Sequence, residues 1–429
     1  MARDPAKFFL DCYRKHGPVF RVSIAGHKYV VIAGAEAANF MGTREGRDCL
    51  RSKEFWQGLV KEFDATCVLP GVDGEKHKQL RDIMRRGYGR DAIRGRFMEV
   101  IGITDRGLAH DWHAGQLAPV VLNMQYLVLS QLGTLLTDMA PREYMHDIRN
   151  VILYILNVLV TRQRPKVMLR LPEYRKAKRR MAELGDKMVA RGHERYGKLP
   201  EDKCVLTDDI MKANIEHPDI IPDQDLLLTL TGPYVAGLDT VANTEAAIVY
   251  CVLKHPEVKR RLLAEVDEVF SRGDIDESEF MKSTPVVQGA VMEAMRLYPI
   301  AVAQMRTANK DFEFAGHLIH EGEMLYVATS VPHFMGEYYP EPEKFDIDRY
   351  QKPRSEHLKP GVYSPYGRGP HTCLGKSLAE VQLALTIARL FYKLDLELET
   401  PDYTLKTKTA PTPGPAMSFK VRVVGPRQH

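Results

Sequence analysis

From about residue 75 to residue 300 the apolar residues recur at helical spacing, with long amphipathic segments at 146–161, 173–195, 223–254 and 256–271. Pro and Gly punctuate these segments without opening a linker. Strand patterns lie at the flanks. VFRVSIAGHKYVVIAG (19–34) reads as two strands joined near Gly26, strand-like pieces return at 312–328, and short strands follow a last helix. A coil rich in Pro and charge covers 332–365, and there is no repeat or low-complexity tract. The expectation is one large domain, 1–429, mainly α with small β-sheets.

Charge and cysteine usage narrow the function classes. A formal +4 from 60 basic and 56 acidic residues is too weak to argue for nucleic acid, so electrostatic partners must be sought in local patches. None of the six cysteines forms a C-x-x-C pair, which leaves zinc ribbons and dithiol motifs unsupported and points to reduced thiols. MARDPAKFFLDCYRKHGPVF has no signal-peptide apolar core, and the expected location is cytoplasmic. The uncharged run 114–137 is long enough to cross a bilayer. Pro119, Asn123, Gln125, Ser130 and Gln131 interrupt it, so a buried core helix is expected.

The stretch YGRGPHTCLG (366–375) gathers three glycines, a proline and a histidine around Cys373. The helix that follows carries Leu374, Leu378, Val381, Leu385 and Ala388 on one stripe. Free N–H groups at its start can point at the sulfur and lower its pKa. The glycines permit a tight backbone and keep side chains away from the sulfur. A lone cysteine is more often a core residue. A phosphate cradle fails because Thr372 stands where G-x-G-x-x-G needs glycine. A nucleophile would need a held base; His371 is near, with no third orienting group visible in sequence.

This loop resembles the cysteine loop of the cytochrome P450 family, aromatic-x-x-Gly-x-His/Arg-x-Cys-x-Gly. Tyr366, Gly369, His371, Cys373 and Gly375 fill those places, with Tyr366 where Phe is usual. The resemblance implies haem b (iron protoporphyrin IX), Cys373 as its axial iron ligand, Tyr366 and Gly367 as haem contacts, and His371 as a propionate contact.

Four further stretches fall in family order. In EAMRLYP, Glu293 and Arg296 share a helix face; alone this would be a surface ion pair of little worth. With Arg349 of FDIDRY, where Ile347 and Asp348 replace the usual Pro and Glu, the resemblance implies a network bracing the cysteine loop. In PYVAGLDTVANT, Gly237 weakens a long helix and Thr240 can bond back to the carbonyl of Ala236. Alone that would be a small-residue packing contact. The resemblance implies that Ala236 and Gly237 lie at the haem and that Asp239 and Thr240 relay protons to bound oxygen.

DGEKHKQLRDIMRR places His77 and Arg81 four apart, able to clasp two carboxylates, although a solvated basic helix is the commoner meaning. The resemblance makes them propionate contacts, with Arg306 just past the Glu293 helix and before a strand. Lys78, Arg85, Arg86 and Lys376 could form a basic face for a ferredoxin or flavodoxin-type electron donor, or an ordinary solvated surface.

The resemblance therefore implies a long central helix over the haem, a β-rich N-terminal lobe, and a monomeric monooxygenase. It would insert one oxygen atom from O2 into an apolar or amphipathic organic molecule, by hydroxylation or epoxidation, using two electrons from the partner. A peroxide-driven or rearranging enzyme ranks second, since Asp239 and Thr240 are both present. A haem-binding sensor or carrier is a third reading. Specificity is expected in 52–72, 162–176, 299–305 and 410–416, where Leu69, Pro70, Met168, Leu169, Leu171, Ile300 and Val302 suggest an apolar pocket.

Overall fold

The structure is a computed structural model describing residues 4–24, 26–410 and 412–428; Pro411, within the expected specificity segment 410–416, lies outside them. Its axis is the helix Asp223–Lys254, 32 residues long, about 48 Å at the usual rise. Its residues Leu226, Leu230, Tyr234, Leu238, Ala242, Ala246 and Val249 enter the main core. Pro233 lies inside it and has no N–H to offer the preceding turn. Helices Val120–Leu132, Pro172–Arg195, Pro285–Leu297 and Lys376–Lys393 pack against this axis.

The uncharged run is a core element, as its polar interruptions suggested. It forms the helix Val120–Leu132 and a π-helical turn Gly133–Thr137, and 78% of Val120–Thr137 is buried within the protein. The interrupting amides are used internally. Asn123 Nδ2 donates to the Asp111 carbonyl at 2.7 Å. Gln131 Nε2 donates to Thr104 Oγ1 and Thr386 Oγ1 at 2.9 and 3.0 Å. Buried amides are tolerated where such partners exist.

The N-terminal lobe rests on a five-stranded sheet. Val19–Ile24 and His27–Ala33 form the expected hairpin, with Val19 opposite Ile32 and Gly26 at φ 84° in the turn. His27–Ala33 runs parallel to Met324–Ala328, which pairs antiparallel with Gln304–Ala308; Leu50–Arg51 closes the far edge. Arg306 thus stands within a strand, not before one, because Gln304–Met305 already pair with Val327 and Tyr326. The last long helix, Lys376–Lys393, is buried as expected, and from Val381 to Phe391 it is enclosed on every side, beyond a single stripe.

The coil 332–365 contains three short 3-10 turns, Val331–Phe334, Ile347–Tyr350 and Glu356–Leu358. Leu117–Pro119, Lys420–Pro426 and Leu394–Leu398 form a further sheet that ties the C-terminal strands to the start of the Val120 helix.

Candidate active site

The loop 366–375 is held by its own backbone. The N–H of Cys373 donates to the carbonyl of Tyr366 at 2.9 Å, and that of Thr372 to Gly369 at 3.1 Å. Gly367 and Gly369 have φ of 71° and 76°, a region that disfavours other residues. A Cβ at Gly369 would sit 2.3 Å from the Met41 carbonyl oxygen, so its bareness seats the loop on the sheet lobe. A Cβ at Gly375 would meet only Tyr88 at 3.5 Å and Cys373 Sγ at 4.0 Å; this glycine keeps space beside the sulfur clear.

Cys373 is exposed although Leu378 and Val381, just beyond it, are core residues. Protein still surrounds the sulfur closely. Burial pushes the thiol pKa up, against the opposing pull of the Gly375 N–H and the Arg81 guanidinium. The expected lowering by N–H groups is therefore present but outweighed by desolvation.

Beside this loop stands a cluster of basic side chains. His77, on the helix Gly74–Tyr88, lies with its ring centroid 4.2 Å from that of His371. Arg81 Nη1 donates to the Thr372 carbonyl at 2.8 Å. Arg306 is buried and donates from Nη1 to the Met305 carbonyl at 2.7 Å. Asp73 stands among them: its Oδ1 lies 2.8 Å from His371 Nε2, and its Oδ2 accepts from the Ser52 N–H at 3.1 Å. Burial, then the charges on His371 and Arg81, pushes the His77 pKa down to about 4. Burial lowers Arg306 to about 10 despite Asp73. Positive charge is in excess here, which favours an anionic ligand.

On the central helix, Ala236 and Thr240 are exposed while the adjacent Leu238 and Asp239 are buried. Thr240 Oγ1 donates to the Ala236 carbonyl at 2.7 Å, the back-bond read from the sequence. Asp239 faces elsewhere. Its Oδ1 accepts from Gln125 Nε2 at 2.6 Å, and its Oδ2 has no hydrogen-bond partner among the described residues. Lys408 is close enough for the Asp239 charge to oppose the lowering that burial imposes on that amine. A Cβ at Gly237 would lie 2.6 Å from Leu132 Cδ1, so this glycine serves helix packing.

The acid–arginine network is complete and dry. Glu293, Arg296 and Arg349 each have 0% exposure. Arg296 grips Glu293 through two hydrogen bonds of 2.8 and 2.7 Å, Arg349 Nε adds a third at 3.1 Å, and the Tyr350 hydroxyl a fourth at 2.6 Å. The link to the cysteine loop runs through His333. Arg296 Nη1 donates to its carbonyl at 2.5 Å, and the Ser364 N–H donates to its Nε2 at 3.3 Å. Tyr363 adds a bond from its hydroxyl to the Met292 carbonyl at 3.0 Å.

The basic face is weaker than the sequence suggested. Arg86 pairs with Asp209 through two nitrogens, and Arg85 pairs with Asp82 at 2.6 Å. Lys376 has Glu380 at 3.9 Å, whereas Lys78 is exposed without an ion pair among the described residues. The apolar specificity residues also divide. Met168 and Leu169 pack on the Leu59–Tyr174 cluster, Val302 packs beside Phe9 and Leu10, and Leu171 is exposed.

Sequence reasoning missed Asp73, Ser52, Gln125 and His333. Gln125 carried the only signal: a polar residue interrupting an apolar run. The others depend on pairings across the fold.

A family model described as Cytochrome P450 matches residues 2–417. The chain belongs to the cytochrome P450 family, whose members bind haem through a cysteine thiolate and act as monooxygenases. It is 24% identical to a taxane 10-beta-hydroxylase of Taxus cuspidata, over 97% of this chain and 84% of the other. It is 26% identical to a cyclooctat-9-en-7-ol 5-monooxygenase of Streptomyces melanosporofaciens, over 74% and 70%. Among solved structures, a cytochrome P450DA heme domain matches with TM-score 0.84 at 19% identity, over 99% and 93% of the chains. A retinoic acid bound cyanobacterial CYP120A1 matches with TM-score 0.84 at 20% identity, over 98% and 95%.

The residues present fit a haem. Gly375 leaves space beside the Cys373 sulfur, and the guanidinium groups of Arg81 and Arg306, with His77 and His371 as neutral hydrogen-bonding rings, suit a group with two carboxylates.

Proposed function

We propose that Cys373 is the axial ligand of the haem iron and that the protein inserts one atom of O2 into an apolar or amphipathic organic molecule. The observation that carries this is the Cys373 sulfur at the edge of its glycine loop, with the Gly375 N–H and Arg81 bearing on it. Ligation requires the thiolate, so the proton that burial retains on the sulfur leaves when iron binds. The haem, when bound, supplies the activation of dioxygen, and its thiolate ligand favours O–O cleavage.

The chain's own residues do the rest. Arg81, Arg306, His77 and His371 would hold the carboxylates of the haem. Tyr366, Gly367, Ala236 and Gly237 complete the proposed contacts. Thr240 spends its hydroxyl proton on Ala236, which leaves its oxygen lone pairs free to accept from a water. Asp239 is turned toward Gln125, so its part in the proposed relay requires its side chain to swing back toward Thr240. Relatives named hydroxylase and monooxygenase support this reading. Electrons would come from an acidic ferredoxin or flavodoxin-type partner near Lys78 and Lys376.

The test is turnover under 18O2 with a reductase and ferredoxin, in wild type and Thr240→Ala. One labelled oxygen per product, with Thr240→Ala consuming reductant but losing product, supports the assignment. Unlabelled product, or equal turnover with peroxide and no reductant in both proteins, overturns it.

A further inference from the structure

Away from Cys373, a half-open cavity of ≈ 630 Å³ is lined by Lys61, Arg162, Arg164 and Lys166, together with His27 and Gln57. That volume is in the range of small-molecule sites. No Asp or Glu lines it, and its apolar side is Gly58, Val158, Leu159 and Pro165. Among the described residues none of its four long cations has an acidic partner. By contrast, Arg180 pairs with Glu183 and Asp147, and Arg195 with Asp208 and Asp138. Concentrating unmatched like charges in a concave wall raises the local concentration of anions.

The backbone there is also unusual. The π-helical segment Ile155–Val160 delivers Val158 and Leu159 to the wall. Arg162 then adopts φ 54°, rare for a residue with a Cβ. Its guanidinium donates to the Glu54 carbonyl at 3.1 Å, and its charge reaches Tyr29 and Tyr326. The next turn, Lys166–Arg170, leaves Val167 61% exposed, and Leu171 after it is 42% exposed. Cations and uncovered aliphatic surface are thus contiguous.

We propose that this cavity binds the anionic head of an amphipath, an alkyl chain ending in carboxylate or phosphate. Arg162, Arg164, Lys166 and Lys61 hold the head, and Val158, Leu159 and the Val167–Leu171 surface cover the start of the chain. The assignment concerns a site separate from the cysteine loop, and its test does not depend on turnover. The head can belong to a free small molecule or to a lipid in a membrane.

Binding of dodecanoate and of dodecanol to the haem-loaded full chain is measured by calorimetry. It is compared with Arg162→Gln/Arg164→Gln/Lys166→Gln and, on another element, with Lys61→Gln. Circular dichroism confirms that each variant folds. Co-sedimentation with phosphatidylglycerol and phosphatidylcholine vesicles forms the second arm. The expected result is at least tenfold tighter binding of dodecanoate than dodecanol, an advantage that the triple variant loses and Lys61→Gln reduces. If that advantage is absent but phosphatidylglycerol vesicles alone retain wild type and release the variants, the anion site stands and its source is lipid. Equal binding of acid and alcohol, with equal sedimentation on both vesicles, overturns the proposal.

Discussion

Arg81 reaches across from the helix Gly74–Tyr88 and donates from Nη1 to the carbonyl of Thr372, 2.8 Å away and one peptide before Cys373. The same guanidinium pulls the Cys373 thiol toward its ionised form. Replacing Arg81 by Leu should therefore loosen the loop and raise the pKa of that thiol. Haem transfer to an apo-acceptor should speed up by about tenfold, the loss of one charge-assisted bond pair. In haem-free protein, peptide-resolved alkylation of Cys373 should move to higher pH. Arg81→Lys should fall between. Unchanged haem transfer and alkylation would contradict the dual role.

Tyr366 brings a hydroxyl where the family pattern usually has Phe. The hydroxyl is buried with no hydrogen-bond partner among the described residues. An orphaned buried hydroxyl costs free energy that its removal restores. Tyr366→Phe should stabilise the protein by about 1 kcal/mol in denaturant unfolding. A destabilised variant would mean that the hydroxyl has an unseen partner.

Glu293 receives five hydrogen bonds, from Arg296, Arg349, Tyr350 and the Asp346 N–H, with no exposed surface. Removing its charge leaves two buried guanidinium groups poorly matched. Glu293→Gln should cost about 3–5 kcal/mol and lower the folded, haem-loaded yield. Loss of activity with full stability and haem content would instead make Glu293 a participant in chemistry.

Burial, then Arg296, pushes His333 down to about 3, and its Nε2 accepts from the Ser364 N–H. The folded state thus refuses a proton that the unfolded chain takes near pH 6.5. Stability from this group is full above about pH 6.5 and is lost as pH falls from there toward about 3, by up to roughly 5 kcal/mol. In His333→Gln, whose amide oxygen can still accept from Ser364, the acid slope of unfolding free energy should be shallower. Parallel slopes in the two proteins would contradict this.

Local patterns exposed much of this design. The hairpin 19–34, the long central helix, the Thr240 back-bond and the Glu293–Arg296 spacing depend on residues close in sequence, so periodicity and spacing suffice. The pairings hidden from sequence span long separations. Asp73 meets His371, Gln125 meets Asp239, and Asp209 neutralises Arg86 only because distant helices pack together. The sign of the Cys373 shift was hidden for the same reason: an N–H beside the sulfur is local, whereas the burial that outweighs it is global.

The most direct measurement is the carbon-monoxide difference spectrum of the reduced protein, beside Cys373→Ala at equal haem supply. Thiolate ligation predicts the long-wavelength Soret band typical of this family in wild type and its absence in the variant. The same band in both, or haem bound equally with unaltered spectra after the substitution, would contradict ligation by Cys373.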